Sequence, residues 1–342
     1  MKKTILKKLA TMVAGLSAGF LLTSAHAAEP VTVKMCSFLF MGEGGPEHQN
    51  LLDYQAAARE WGAKVEFVKT YQVDKIAAEE FKSGTCDIVN LPSITAAAFN
   101  KFTGTLDAPA AIPSYEHMRS VMQTLAKPSA QKYMRKGDYE IIGILPIGSV
   151  FMFTRDKTVT SLTDLAGKKM AVLDTMPEMR QLVVDLGMTP VSSTITNMYQ
   201  KFNNGAIDIT AAPAMVYDMM ELYKGLRPNG GVLDKPIVQS SMQFVGRWEN
   251  LPEEFAQRSR EYFVKNFDAT VNAAKEAEKN IPKDLWIPLS DESEAEYATQ
   301  TRKIRLAFRE QDVYDPKMLK LLRQIRCHKD GTLAECTDKN AE

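Results

Sequence analysis

The chain reads as an α/β protein of two similar lobes that face each other across a cleft, and three features of its sequence predict this. The first is an alternation. Lys169 to Leu173 is a short apolar run, Met179, Leu182, Val183 and Leu186 recur at helical spacing, and Ile207 to Ala211 is apolar again. Strand, helix and strand in that order make a parallel βαβ unit. The second is a repeat: FKSGTCDIVNLP at 81–92 matches FNNGAIDITAAP at 202–213 at Phe, Gly, Asp, Ile and Pro. In each copy Phe ends a helix against the sheet, Gly supplies the left-handed residue that terminates that helix, Asp opens a buried strand and Pro stops it. The third is a rule of open α/β sheets, whose ligands bind outside the carboxyl ends of the strands. Two such lobes would line a cleft with Asn90 to Ser93 on one side and Ala211 to Ala214 on the other.

The N-terminus sets the compartment. Lys2, Lys3, Lys7 and Lys8 form a positive region, Leu9 to Leu22 is mostly apolar, and Ala25-His26-Ala27 has the small-x-small pattern of a secretory cleavage site. Residues 1–27 therefore read as a signal peptide, with Ala28 as the mature terminus. The apolar run is too short for a stable span, and no later stretch approaches the twenty or so apolar residues that a span needs. The balanced 42 basic and 42 acidic residues of the 342-residue chain lose four lysines with residues 1–27, which leaves 38 against 42 in 315 residues. Such a mildly acidic chain carries no nucleic-acid footprint.

Four cysteines are an even set in an oxidising compartment. Cys327 and Cys336 flank a Lys-Asp-Gly turn and are expected to close a small loop after the last helix. Cys36 and Cys86 fall on the first and third strand candidates; they either pair or stay as two buried thiols. No short C-x-x-C spacing supports zinc, and neither a metal nor a cofactor is expected.

In chain order, Val31 to Phe38 is the first strand, and the glycine-rich loop from Met41 to Pro46 leads to a helix from Glu47 to Trp61. That loop lacks both GxGxxG and GxxxxGK[ST] and reads as a tight turn at the cleft ahead of a phosphate site. Lys64 to Lys69, a helix around Val73 to Phe81, and Cys86 to Asn90 complete a β-α-β-α-β core. Helices broken by Pro109, Pro113 and Pro128 follow. Tyr139 to Leu145 and Val150 to Arg155 are expected to carry the chain across as two strands, with Phe151 either core or ligand-lining. Pro236 to Phe244 would cross back, and two crossings make a hinge on which a cleft can close. A long helix from Pro252 to Asn280 is expected to brace both lobes, followed by helices at Asp291–Glu310 and Pro316–Arg326 with solvated charged faces, and a loose tail from Thr337. The implied partition is 28–148 plus 237–265 for lobe one and 149–236 plus 266–342 for lobe two.

With its signal peptide, crossing strand, the DLAGKKMAV segment at 164–172 and MYQKFNNGAID at 198–208, the chain resembles the DctP-type solute-binding proteins of TRAP transporters across nearly all of its mature length. It is most similar to a divergent group of that family, some members of which are linked to aminoglycoside efflux or resistance. The resemblance implies a periplasmic, class II-like periplasmic-binding ("Venus flytrap") fold with hinge strands and a lobe-spanning helix. It also implies a small-molecule ligand, delivery to a TRAP-type or other inner-membrane permease, and a monomer. The family's carboxylate-binding arginines align with Ala171 and, on the crossing strand, with Phe151, and its asparagine before the strand-end proline aligns with Ala212. Without the bidentate arginine that recognises carboxylate, a larger, less acidic or cationic solute is expected, unless Arg155 or Arg180 turns inward.

The residues expected to line the cleft are Glu43, Asn90, Ser93, Phe151, Asp174, Thr175, Arg180, Ala212, Pro213 and Tyr217. Glu43 and Asp174 would select charge and the aromatics would stack. An enzyme is disfavoured, because His48, His117 and His328 are scattered and no nucleophile or metal motif is present. The alternative is an accessory or sensor protein of an envelope efflux system that keeps the fold and reads a protein partner.

Overall fold

In the computed structural model, which describes residues 29–174, 176–338 and 342, the first apolar run is strand β1, Val31–Phe38. Helix α1 (Pro46–Glu60), β2 (Ala63–Tyr71), α2 (Asp74–Lys82) and β3 (Ile88–Pro92) follow. β1 pairs in parallel with both β2 and β3, which makes the core of lobe one. Short helices α3 (Ser93–Ala96), α4 (Lys101–Gly104), α5 (Tyr115–Leu125) and α6 (Gln131–Met134) cover it, followed by the two-residue strand β4 (Arg135–Lys136). The expected signal peptide lies outside the described residues.

Strand β5 (Tyr139–Thr154) crosses to lobe two. There the chain forms β6 (Lys169–Leu173), α7 (Pro177–Asp185), β7 (Thr189–Ser193), α8 (Met198–Asn203) and β8 (Ile209–Pro213). Helices α9 (Val216–Met219) and α10 (Tyr223–Leu226) and strand β9 (Gly231–Leu233) lead to β10 (Val238–Arg247), which crosses back. Then come α11 (Phe255–Lys265), α12 (Phe267–Asn280), β11 (Trp286–Ile287), α13 (Asp291–Glu310) and α14 (Pro316–Lys329). Among the described residues one sheet runs β2-β1-β3-β10-β5-β8-β6-β7, with β4, β9 and β11 off that path. The two-lobed fold is thus a single sheet whose middle strands, β10 and β5, belong to both lobes.

The repeated segment does the same work twice. Phe81 and Phe202 are fully buried, and Gly84 and Gly205 take positive φ of 86° and 79° after their helices. The Asp87 amide donates to the Lys34 carbonyl and its carboxylate accepts from the Lys34 amide; Asp208 makes the same pair of bonds with Lys169. Each aspartate therefore locks its strand to the neighbouring one, β3 to β1 and β8 to β6. Arg247 and Arg155 follow suit at the ends of the crossing strands: each amide donates to the aspartate's carbonyl, and each guanidinium caps the helix end at Phe81 or Phe202.

The structure corrects several expectations. β5 is one strand rather than two, because Pro146 falls at a bulge where β10 shifts register between Ser240 and Ser241 and needs no ladder bond there. β7 was not among the expected strands; it is a half-buried edge strand, the place where a residue such as Pro190 is tolerated. The long helix is two, α11 and α12, separated at Asn266, whose side chain donates to the Tyr262 carbonyl. The pair still spans both lobes, since Phe263 and Phe267 bury in the lobe-one core while Ala277 packs on lobe two.

The C-terminal helices depart from the partition that gave 266–342 to lobe two. Phe308, Met318, Leu319 and Leu322 bury in the same cluster as β1 and β3. Their charged faces are not all solvated either: Arg305 and Arg326 are buried and pair with Glu335 and Glu342, and both donate to carbonyls of lobe one, at Pro109 and Ala111. Glu342, in the tail expected to be loose, is buried in this network. Cys327 is joined to Cys336 beside it, and Cys36 to Cys86 across β1 and β3.

Candidate functional site: the interlobe junction

Strand pairing locates the junction. β3 runs toward its end at Pro92 opposite Met242, and β8 runs toward its end at Pro213 opposite Val150, which itself pairs with Val238. The two carboxyl ends approach each other from opposite directions, with Pro146–Ser149 and 239–241 between them. This crossing is polar. Gln239 Nε2 donates to Ser149 Oγ at 3.0 Å, and the Ser149 amide donates to Tyr115 Oη, which donates in turn to Glu278 at 2.6 Å. Burial first, and then the Glu278 carboxylate, push the Tyr115 hydroxyl up to about 12. The Ser241 hydroxyl is buried there without a hydrogen-bond partner among the described residues.

The wall of lobe one is polar. Asn90 is buried and clamps Phe38, accepting from its amide at 3.0 Å and donating to its carbonyl at 2.7 Å. Ser93 and Thr95, on the first turns of α3, donate to Asp107 and Asp74 respectively. Asp107 Oδ1 is shut off from solvent without a hydrogen-bond partner among the described residues, and burial pushes that carboxyl up to about 7 against the help of Ser93. Of these groups Thr95 and Asp107 border a groove of about 510 Å³ beside α2 and α3–α4, whose lining also includes Lys75, Lys82, Lys101 and Met176 of lobe two.

The wall of lobe two is apolar. Phe151, Ala212 and Ala214 are buried, with Ala171, Leu173 and Met215 half-buried on the same cluster. Phe40, two residues past β1, packs on the cores of both lobes, and its ring meets Tyr199 edge-on, centroids 6.4 Å apart. Tyr199 opens α8, at the carboxyl end of β7, and so stands on the cleft side.

The structure places the expected cleft residues as follows. Ser93, Ala212 and Pro213 stand at the two strand ends, and Asn90 is spent on the β1–β3 clamp. Phe151 is a core residue whose ring packs on Trp286, centroids 4.9 Å apart. Tyr217 is buried with its ring stacked on Phe153. Glu43 is exposed and accepts from Thr70 at 3.1 Å. Asp174 is exposed and accepts from Ser192, and Thr175 lies outside the described residues. Arg155 does not supply an anion-binding charge. Arg155 caps α8 through the Phe202 carbonyl, at the amino ends of the strands, and Arg180 is exposed on α7. The glycine-rich loop is closed by its own acid: Glu47 accepts from the Met41 amide at 2.7 Å. Sequence reasoning did not find Phe40, Tyr199 or Asp107. The first two could have been found only with β7 in hand, which places the start of α8 at a strand's carboxyl end.

Among the described residues no helix is long and apolar enough to cross a membrane. A family model described as solute-binding protein AdeT 1/2 matches residues 41–341. The chain belongs to this family. It is 33% identical over 296 residues, 86% of its length and 97% of the relative's, to the protein named Probable solute-binding protein AdeT1 of Acinetobacter baumannii. A second relative in the same organism, Probable solute-binding protein AdeT2, is 28% identical over 66% of this chain and 94% of its own. Among solved structures, a TRAP periplasmic solute-binding protein of Ralstonia eutropha with bound (S)-2-acetolactate superposes with a TM-score of 0.71, at 15% identity, over 87% of this chain and 99% of that one. A protein of the same description from Desulfovibrio salexigens, with bound orotic acid, gives 0.69 at 16% over 87% and 99%. At these identities the likeness is one of fold. Family membership makes the chain a solute-binding protein of the AdeT group, and its fold is the two-lobed one of TRAP periplasmic solute-binding proteins.

Proposed function

We infer that the protein is a periplasmic solute receptor that captures a small molecule between its lobes and hands it to a TRAP-type membrane transporter. The observation that carries this is the opposition of the β3 and β8 carboxyl ends across the shared strands β5 and β10. A solute bound there touches both lobes only when they are closed, and it shifts the population toward closure by its differential affinity for that state. Processing after Ala27 and action as a monomer belong to the same reading. So does a lobe-one wall at Ser93 and a lobe-two wall at Ala212 and Pro213, with Glu43 and Asp174 at the rim.

The solute is not a simple organic acid. Acetolactate and orotic acid are ligands of the structural neighbours named above, but here Ala171, Phe151 and Ala212 present no cation to a carboxylate, and Arg155 is spent on the α8 cap. Aminoglycosides enter the ligand panel through the efflux association of similar proteins and on that ground alone.

Native mass spectra of the processed chain, recorded before and after denaturation and refolding, test the reading. An adduct of small-molecule mass that denaturation removes supports it and weighs the ligand. A spectrum free of adducts, unchanged by organic acids, amines or aminoglycosides, moves the protein to the accessory role.

A further inference from the structure

The groove of about 510 Å³ beside the junction has the size of an ordinary small-molecule site. One side is a stripe of α2: Lys75, Ala78, Glu79 and Lys82 recur at helical spacing and so share a face. On the other side Ile94, Ala97, Ala98 and Lys101 repeat that spacing from α3 to α4. Alanines in the middle keep the space open, and cations stand at both ends. At the inner end Asp74, the residue before Lys75, accepts from Thr95, and Met176 of lobe two joins the lining. At the outer end the Lys82 ammonium lies 5.6 Å from the centroid of the Phe99 ring, on the connection that leads into Lys101.

The balance of charge in the groove is positive. Lys75 makes no ion pair or hydrogen bond among the described residues. Lys82 pairs with Glu79 at 2.8 Å and Lys101 with Asp312 at 2.5 Å, but both pairs are open to solvent, and such pairs hold their partners weakly. The other carboxyl of the lining, Asp107, is pushed up to about 7 by burial and opposes an anion little below that pH. Lysine is a point charge without the planar fork of arginine, so these residues set where negative charge sits and leave its geometry free.

We propose that this groove is a second ligand site, for a soluble organic dianion: one anionic group meets Lys75 at the inner end, the other meets Lys82 and Lys101 at the outer end, and an apolar middle lies along Ala78, Ala97 and Ala98. Lys75 and Lys82 are two turns of helix apart, roughly 10 Å along the axis, a separation that a six-carbon chain spans. The site goes beyond the receptor reading and does not depend on it. Its lining, among the described residues, does not include Ser93, Ala212 or Pro213 at the strand ends. Because Met176 belongs to lobe two, an occupant of the inner end touches both lobes.

The probe is hexane-1,6-diphosphonate; hexylphosphonate carries one of its charged ends and 1,6-hexanediol carries neither. Binding to the processed chain is measured by calorimetry at fixed ionic strength, with variants whose melting temperatures match the parent's. The diphosphonate should bind about tenfold or more tighter than hexylphosphonate, and the diol should not bind. Lys75→Met, and Lys82→Met with Lys101→Met, should each weaken the diphosphonate by about tenfold. Ala98→Leu changes no charge but fills the middle, and should abolish binding. Lys279→Met, which removes the same charge from an exposed pair on α12, should leave it unchanged. No binding of the diphosphonate, or equal binding of hexylphosphonate, overturns the site. So does a loss in Lys279→Met as large as in Lys75→Met, or full binding by Ala98→Leu, since either reduces the effect to charge attraction at the surface. The receptor reading is untouched by these outcomes and is decided by the adduct in the native spectra.

Discussion

The two lobes share a frame and differ in how that frame is fastened. Lys34 and Asp87 in lobe one correspond to Lys169 and Asp208 in lobe two, with the same backbone and carboxylate bonds, and β3 pairs Ile88 with Met35 where β8 pairs Ile209 with Met170. Carrying that register along, Cys36 and Cys86 fall on Ala171 and Ile207, and Asn90 falls on Ala211. Lobe one therefore has a disulfide and a two-bond side-chain clamp where lobe two has three apolar side chains. Its first strand is also deeper, since five of the eight residues of β1 (Val33 and Met35 to Phe38) are buried, while β6 buries only Val172. The contrast teaches a division of labour. Lobe one is cross-linked and hydrogen-bonded at positions where lobe two is only packed.

The largest effect expected from breaking this contrast lies beneath lobe one. Arg260, on α11, pairs with Glu140 at 2.5 Å, and both are almost wholly buried. Arg260→Met leaves Glu140 with only its outer partner, Arg135, and should cost about 3–5 kcal/mol in urea unfolding, because a buried charge is left under-compensated. A loss below about 1 kcal/mol would show that lobe one does not depend on this pair.

Removing the staple comes next. Cys36→Ala with Cys86→Ala should lower stability by about 2–4 kcal/mol under oxidising conditions, mostly through the freed unfolded chain. It should also raise amide exchange in β1 and β3 toward the faster rates expected for β6 and β8. Equal protection of the two lobes in the parent protein would sink the comparison. The reverse experiment, Ala171→Cys with Ile207→Cys, should slow exchange in β6 and β8.

A smaller loss follows from Asn90→Ala, about 1–3 kcal/mol, since the buried amide and carbonyl of Phe38 both lose their partner. Thermal unfolding with the disulfide intact separates this from the staple; a melting temperature equal to the parent's would mean that water or a shifted strand replaces the clamp.

Much of this frame was legible in the sequence, and for physical reasons. Phe, Gly, Asp and Pro in the repeat each answer a backbone demand that few other residues meet, so the motif marks helix end, turn, strand start and strand end wherever it occurs. The α/β class and the bounds of β1, β6 and α13 follow from it and from apolar periodicity. The site was less legible. Asn90 looks like a cleft residue but is used up by Phe38, and Phe151 and Tyr217 are aromatic because they are core. Phe40 and Tyr199 become neighbours only through the lobe-lobe contact, 159 positions apart in the numbering, and no local pattern announces that. Arg305 and Arg326 read as surface charge because their buried partners, Glu335 and Glu342, sit beyond the last helix, in the disulfide loop and the tail.

The lobes should also differ in their response to pH, the smallest of these effects. In lobe one, burial raises the Asp107 carboxyl from its ordinary 3.8 to about 7. Between those values the folded chain keeps a proton that the unfolded chain has released, so the stability tied to this group is full below about pH 4 and declines as pH rises to about 7. In lobe two the sign is opposite. Lys168, with help from Thr158, lowers Asp156 to about 2, so its contribution is present above about pH 4 and is lost as pH falls toward 2. Because Asp156 is largely open to solvent, that contribution is small. Melting temperatures from pH 2 to 8 should therefore show Asp107→Asn flattening the decline on the neutral side, and Asp156→Asn touching only the acid limb. A neutral-side decline that persists in Asp107→Asn would assign it to another group and remove Asp107 as the buried acid of the cleft.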